Sequence, residues 1–300
     1  EDMLDTFLTI GRNIIPKPLF RALQPMYHFI LAWCAALFYW FPSRHLMVIG
    51  VTGTNGKSTV VELLYRIFAE DGFSPASISS IYFRMKEREW KNDLKMTMPG
   101  RFAVQRFLWE ARRMGCRVVI LEVTSEGIKQ FRHKFITFRA AVLTNIRPEH
   151  IESHGSFENY RKAKAKLFKN SPLHILNGDE ENLEYFKNIP AKERVFYYIK
   201  DFPQDITLKL LGEFNKANAM AALKTAEVLG AKHDAIKKAL EGVEHIPGRL
   251  EFIQRVPFTV VVDYAHTPDA LRKVYQVLNK SVVSAQGSGV QLICVLGAAG

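Results

Sequence analysis

Short apolar runs alternate along the chain with stretches whose apolar residues recur every three or four positions. The runs HLMVIGV (45–51), CRVVILEV (116–123), RAAVLTNI (139–146), FTVVVDY (258–264) and VQLICVL (290–296) read as buried strands. Between and after them lie helical patterns. In 58–71 the apolar stripe is Val60, Val61, Leu64, Ile67 and Phe68, with Gly72 as its stop. The others are 101–115, 156–170 with Ser156 as cap, 213–230, and 267–280 with Pro268 near its start. Such alternation predicts an α/β fold, a mostly parallel sheet flanked by helices. No internal repeat or low-complexity tract interrupts it.

The first 45 residues break the rhythm. PMYHFILAWCAALFYWF (25–41) is almost uninterrupted apolar and aromatic sequence, with Lys17, Arg21 and Arg44 flanking it. A membrane-spanning helix wants about 20 apolar residues, and 26–41 is shorter and contains His28. No small-residue cleavage site follows, which argues against a signal peptide. The first reading is a helix packed on the body of the protein; the second is a helix in a membrane interface; the third is a span.

Composition narrows the partners. The chain has 300 residues, enough for about two domains. A net charge of +11 favours anionic partners such as nucleotides or acidic lipid headgroups. Charge alone, without a recognised motif, does not make a nucleic-acid binder. Cys34, Cys116 and Cys294 are isolated, which excludes a zinc ribbon and fits a reducing cytosol. The ending CVLGAAG resembles a strand entering a Gly-rich turn, so the sequence is expected to be a piece of a longer protein.

The strand at 45–51 runs into TGTNGKST and then a helix. A strand, a Gly-rich turn and a helix start form the setting of a phosphate-binding loop. Gly53, Thr54, Asn55 and Gly56 would curl backbone N–H groups around phosphates. Lys57 can reach the outer phosphates, and Ser58 or Thr59 can ligate magnesium. The spacing departs from G-x-x-x-x-G-K-[ST]: five residues before Gly56 stands Val51.

GVTGTNGKST (50–59) resembles the nucleotide loop of the Mur ligase family, which includes the folylpolyglutamate synthetases. LEVTSEGI (121–128), TNIRPEHIESHGSFENYRKAKAKLF (144–168), GEFNKANAMAA (212–222), IPGRLE (246–251) and VVDYAHTPDAL (261–271) follow in that family's order. The last two are most similar to ligases adding the third residue of the peptidoglycan stem peptide. The resemblance implies an ATP-dependent amide ligase working through an acyl phosphate, with a muramyl-peptide carboxylate and an amino acid as substrates. Beside the apolar segment over 1–45, it implies an ATP-binding P-loop-type central domain over 46–247 and, over 248–300, the start of a Rossmann-like C-terminal domain.

It also implies roles. Glu122 and Ser58 would hold magnesium between the β- and γ-phosphates, and His150 a second ion. Lys164, picked out of YRKAKAKLF by the Ala-Lys that precedes Leu-Phe by two residues, would carry a carbamate that ligates that second ion. Asn215 and Asn218 share a helix face and offer the donor and acceptor an adenine edge requires; by resemblance Asn218 lies near the base. Arg249 would contact phosphate, Asp263 the ribose, and His266 would lie near the nucleotide.

Three departures are visible. Only about 45 residues precede the loop strand, where the resembled ligases carry a UDP-sugar-binding domain, so a lipid-linked or membrane-side acceptor is an open alternative. MTMPGRF (96–102) replaces the family's TTP substrate loop; Thr97 is retained and Arg101 is a candidate for an acidic substrate group. By resemblance, the domain that selects the amino acid is expected past Gly300. A monomer is expected, cytoplasmic or peripheral to the inner membrane face through 25–41. Folylpolyglutamate synthesis, a lipid-linked muramyl amide ligase and a non-catalytic nucleotide-binding scaffold are the competing readings.

Overall fold

A computed structural model describes residues 17–94, 96–149, 151–280 and 291–297. After helix α1 (Lys17–Phe38) comes the loop strand β1 (Met47–Thr52), then α2 (Lys57–Glu70). An antiparallel meander follows: β2 (Pro75–Ile78), β3 (Tyr82–Met85) and β4 (Arg88–Lys91). Next come α3 (Arg101–Arg113), β5 (Val118–Glu122), the short α4 (Ser125–Lys129) and β6 (Phe138–Leu143). The chain continues through α5 (Ile151–His154), α6 (Phe157–Phe168), β7 (Leu173–Asn177), α7 (Leu183–Lys187) and β8 (Glu193–Tyr197). Two helices close this part, α8 (Glu213–Val228) and α9 (His233–Glu241). Then β9 (Glu251–Gln254) pairs antiparallel with β10 (Val260–Val262), before α10 (Pro268–Leu278).

The main sheet has the order β4-β3-β2-β5-β1-β6-β7-β8, and from β2 to β8 every pair is parallel. Side chains alternate across β1. Ile49 and Val51 pack with Leu63 and Leu64 of α2 and Met220 of α8 on one face. Val48 packs with Leu108 of α3 and Leu167 of α6 on the other. Both faces are therefore buried, which is why these strands read as continuous apolar runs. Helix α1 lies against α3.

Capping follows the sequence. Ser156 accepts the Asn159 N–H at 3.1 Å, and Thr267 accepts the Ala270 N–H at 3.3 Å with Pro268 in the first turn. Helix α2 differs: its cap is Gly56, and no side chain takes its first N–H groups.

Two strand expectations are corrected. The run at 290–296 is not a strand: residues 291–297 have no regular structure and are exposed. An apolar run forms a strand only where a neighbour takes its backbone hydrogen bonds, and none among the described residues pairs with it. The run at 258–264 shrinks to Val260–Val262 and is half-exposed in its two-stranded ribbon. Strands β2, β3, β4, β7, β8 and β9 were not foreseen. In β7, LHILN hides a fully buried His174 whose Nε2 lies 2.8 Å from the Phe168 carbonyl.

Gly50 owes its place to packing, not to phosphate. A Cβ there would stand 2.9 Å from Leu167 Cδ1 and 3.0 Å from Phe138. Gly50→Val is expected to destabilise the fold by about 1–3 kcal/mol through overpacking. A lowered urea midpoint checks this; an unchanged one would mean that α6 shifts freely.

Candidate active site

Three consecutive sheet positions build one edge. In the parallel ladder Val51 lies opposite Glu122 on one side and Val142 on the other. The ends of β5, β1 and β6 therefore finish level, and their following loops share one space.

The β1 loop is locked against the β6 loop. Thr54 N–H donates to the Asn145 carbonyl at 2.9 Å, and Asn55 N–H donates to Asn145 Oδ1 at 2.9 Å. Thr144 Oγ1 and Asn145 Nδ2 both donate to the Asn55 carbonyl, at 2.7 and 3.0 Å. Gly56 sits at φ +83°, and a Cβ there would come within 2.2 Å of Asn218 Oδ1. Only glycine satisfies that turn and lets Asn218 approach. The uncapped start of α2 leaves N–H groups and the positive dipole end for an anion.

Ser58 Oγ donates to Glu122 Oε2 at 2.9 Å, and the Ser80 N–H reaches the same oxygen at 2.9 Å. Two hard oxygen donors thus sit one hydrogen bond apart at the loop's end. Among the described residues no group of three or more His, Cys, Asp and Glu converges. A magnesium ion here would rely on these two oxygens, water and nucleotide phosphate, a donor set that suits it. Arg249 extends to within 3.3 Å of Ser58 Oγ and covers the Tyr264 ring.

Lys57 and Lys164 both stand beside the loop, Lys164 buried and Lys57 half-buried. Lys57 Nζ donates to the Thr54 carbonyl and Lys164 Nζ to the Gly53 carbonyl, each at 2.7 Å. Burial lowers the pKa of both. For Lys164 the fall is large; burial and then Lys57 cause it, against the opposing pull of Glu149 and Glu122. Lys164 is 2% exposed, whereas Lys162 and Lys166 face solvent. Its amine lies over the Tyr160 ring, and Tyr160 Oη is 3.1 Å from Thr54 Oγ1.

The remaining candidates are placed as follows. Thr59 is buried in the first turn of α2. Asn218 Nδ2 donates to Asn215 Oδ1 at 3.4 Å, and Asn215 Nδ2 donates to the Leu211 carbonyl. Asp263 accepts the backbone N–H groups of Leu250 and Ala265, at 2.7 and 2.6 Å, and so shapes its own turn. His266 Nδ1 donates to the Tyr264 carbonyl, and its Nε2 stands 3.6 Å from Glu149 Oε1. The Thr97 carbonyl accepts from Asn92 Nδ2 at 3.4 Å. Arg101 Nε donates to the Gln130 carbonyl, and its other end meets His28 Nδ1. Burial, then Arg101 and Arg132, hold His28 down to about 4, so it accepts as a neutral ring. Arg101 thus ties α1 to the α4 segment. His150 lies outside the described residues.

Sequence reasoning overlooked Glu149, Ser80, Tyr160 and Asn145. Glu149 is the one with a legible signal: it is the carboxylate beside His150 in RPEHIE, and it acts electrostatically on both Lys57 and Lys164. Ser80 reaches Glu122 through its backbone, which no residue pattern announces.

Residues 51–205, just over half of the chain, match the Mur ligase middle domain, and residues 248–300 match the Mur ligase, glutamate ligase domain. A UDP-N-acetylmuramyl-tripeptide synthetase of Roseiflexus sp. (strain RS-1) is 30% identical, over 95% of this chain and 63% of its own length. The chain spans about three fifths of the length of the curated relatives it matches. A solved UDP-N-acetylmuramoyl-L-alanyl-D-glutamate–2,6-diaminopimelate ligase superposes with a TM-score of 0.66 at 28% identity, over 78% of this chain and 54% of that one. The apo form of L. casei FPGS shares the fold, with a TM-score of 0.69 at 18% identity over 83% of this chain and 75% of that one. From the phosphate loop to the C-terminal residues, the chain belongs to the Mur ligase family.

Proposed function

We propose that this chain is the nucleotide-handling part of an ATP-dependent amide ligase that joins an amino acid to a muramyl-peptide carboxylate in peptidoglycan precursor synthesis. One observation carries the reading: an uncapped glycine loop with Lys57, the Ser58–Glu122 oxygen pair and the buried Lys164 amine share one sheet edge. The names of the relatives, which are muramyl-peptide ligases, support the substrate class.

In the proposed reaction a carboxylate oxygen attacks the γ-phosphorus of ATP, and the bond to the leaving ADP oxygen breaks. The amine of the incoming amino acid then attacks the acyl carbon; phosphate leaves, and the nitrogen loses a proton. Lys57 exchanges the Thr54 carbonyl for phosphate oxygens and offsets the charge that builds during transfer. Loop N–H groups from Gly53 to Thr59 hold the phosphates, Arg249 flanks them, and Asn218, backed by Asn215, borders the base. Asp263 and His266 border the nucleotide from the C-terminal side. Thr97 faces the acceptor, and Arg101 could do so only by releasing His28. Magnesium held by Ser58 and Glu122 would supply charge neutralisation at the phosphates.

Lys164 is proposed to react as a free amine with carbon dioxide. A nitrogen–carbon bond forms as one carbon–oxygen π bond opens, the nitrogen loses one proton to solvent, and the neutral amine becomes a carbamate anion able, with His150, to hold a second magnesium ion. Its lowered pKa supports this, because only the neutral amine is nucleophilic. We place the catalytic core at 46–247 and the beginning of the C-terminal domain at 248–300, in a monomer working where ATP is supplied, in the cytoplasm.

The decisive experiment follows ADP release by the full-length protein with Mg-ATP, UDP-linked or lipid-linked muramyl dipeptide and a panel of amino acids, with product masses from the same tubes. ADP formed only with one acceptor and one amino acid establishes the ligase. ADP with a folate acceptor instead moves the reading to folylpolyglutamate synthesis; none at all leaves a nucleotide-binding scaffold. Glu122→Gln is expected to lower kcat by at least about 100-fold while leaving magnesium-free nucleotide affinity nearly unchanged.

Lys164 gives a second test with its own sign. Its folded pKa lies below the ordinary 10.5. The folded state therefore carries a penalty that is absent above that pH and grows as pH falls toward the folded pKa. In bicarbonate-free buffer, Lys164→Met should raise Tm by roughly 2–4 °C near neutrality, the response to about 1 kcal/mol, and by less in alkali. With ¹³C-bicarbonate, the wild type should show a carbamate resonance that acidification and Lys164→Met both abolish. A signal surviving Lys164→Met would sink the assignment.

A further inference from the structure

Helix α1 is amphipathic in the wrong sense for a helix that merely packs on a globular body. Its inward side is small: Ala32, Ala35 and Ala36 are buried. Its polar His28 turns inward to meet Arg101. Its outward side is large and apolar. Leu23, Met26, Ile30, Trp33 and Leu37 follow one another at spacings of three and four, and Trp40 extends the stripe just past the helix; all six are exposed. Phe38 beside it is 69% exposed and Trp40 79%. The helix contains no Asp or Glu. A single exposed leucine is ordinary, but a continuous stripe of this length on one helix marks an interaction surface.

Three occupants could cover such a stripe: a helix from a second copy, another part of the chain, or a lipid surface. A zipper between copies would carry charged residues along the flanks of the stripe to fix partner and register. The flanks here are Tyr27, Phe29 and Cys34, with no charge. The basic residues stand elsewhere. Phe29 forms one wall of a groove of about 350 Å³, whose other walls include Phe41 and Phe135. Arg44 and Lys134 line that groove, and none of its lining residues is a carboxylate. Apolar walls with two cations beside an exposed aromatic helix match an acyl chain below and an anionic headgroup above. Tryptophans along the stripe suit the interfacial zone. No helix among the described residues is long and apolar enough to cross a membrane, so the fitting posture is a helix lying in the plane of the interface.

We propose that α1 docks the protein on an anionic lipid bilayer, with the stripe from Leu23 to Trp40 inserted at the headgroup boundary and Arg44 and Lys134 pairing with lipid phosphates. This surface is separate from the nucleotide edge and stands whether or not the ligase reading does.

The test uses the full-length protein and sedimentation with two kinds of vesicle, phosphatidylcholine alone and phosphatidylcholine with about 30% phosphatidylglycerol, anionic headgroups being what basic residues read. The protein should pellet with the anionic vesicles and be released by high salt. Trp33→Glu, and separately Arg44→Glu with Lys134→Glu, should each weaken binding about tenfold or more. Circular dichroism should show each variant folded, since these side chains lie at the surface. No retention on anionic vesicles, or equal retention of Trp33→Glu, overturns the proposal. A wild-type dimer that Trp33→Glu converts to a monomer gives the stripe to a second copy; a large loss of Tm in Trp33→Glu gives it to another part of the chain. ADP release with a soluble acceptor, unchanged in Trp33→Glu, separates failure of docking from failure of the ligase.

Discussion

The site depends on the hydrogen-bond register of three parallel strands. Because Val51 stands level with both Glu122 and Val142, three loops widely separated in sequence emerge at one height. A one-residue slip of β5 would turn Glu122 to the other face of the sheet, since side chains alternate along a strand. The loop then needs no long connector. Thr144, Asn145 and Lys164 reach its backbone directly and fix its curvature before any ligand arrives. Such preorganisation keeps the cost of ordering the loop out of the binding step.

Electrostatics at this edge are deliberately unbalanced toward anions. Lys57, the buried Lys164 and Arg249 face Glu122 and Glu149 across the loop. Desolvation raises the cost of both lysine charges; Lys57 raises it further for Lys164, and Arg249 for Lys57. On the proposed reading a polyphosphate would relieve that cost by supplying negative charge, so nucleotide affinity and the cost of the desolvated amines would be two readings of one field.

The sequence made the loop, the helix behind it and the choice of Lys164 legible, because those depend on local pattern: strand, glycines, lysine, then an apolar stripe of period near 3.6. It made the short strands less legible. REWK in β4 is exposed along its length and has no apolar alternation to announce it, and PASI in β2 is too short to be told from a turn. The exposed run after residue 290 shows the opposite error: apolar character without a neighbouring strand does not make a strand. Ser80 and the double backbone clasp on Asp263 escaped because they arise from tertiary position and not from residue type. The outward face of α1 escaped for a related reason. An uninterrupted apolar run suggested a helix, but only packing revealed that Ala32, Ala35 and Ala36, and not Trp33, point in.

The contact between Arg249 and Ser58 spans 191 residues and joins the C-terminal segment to the phosphate loop at a single hydroxyl. Whatever ligates that hydroxyl must take it from the guanidinium. Occupancy of the loop and posture of the C-terminal segment are therefore not independent coordinates. A cation bound at that oxygen would compete with the guanidinium for it, so the proposed metal site and the hold on the C-terminal segment draw on one atom.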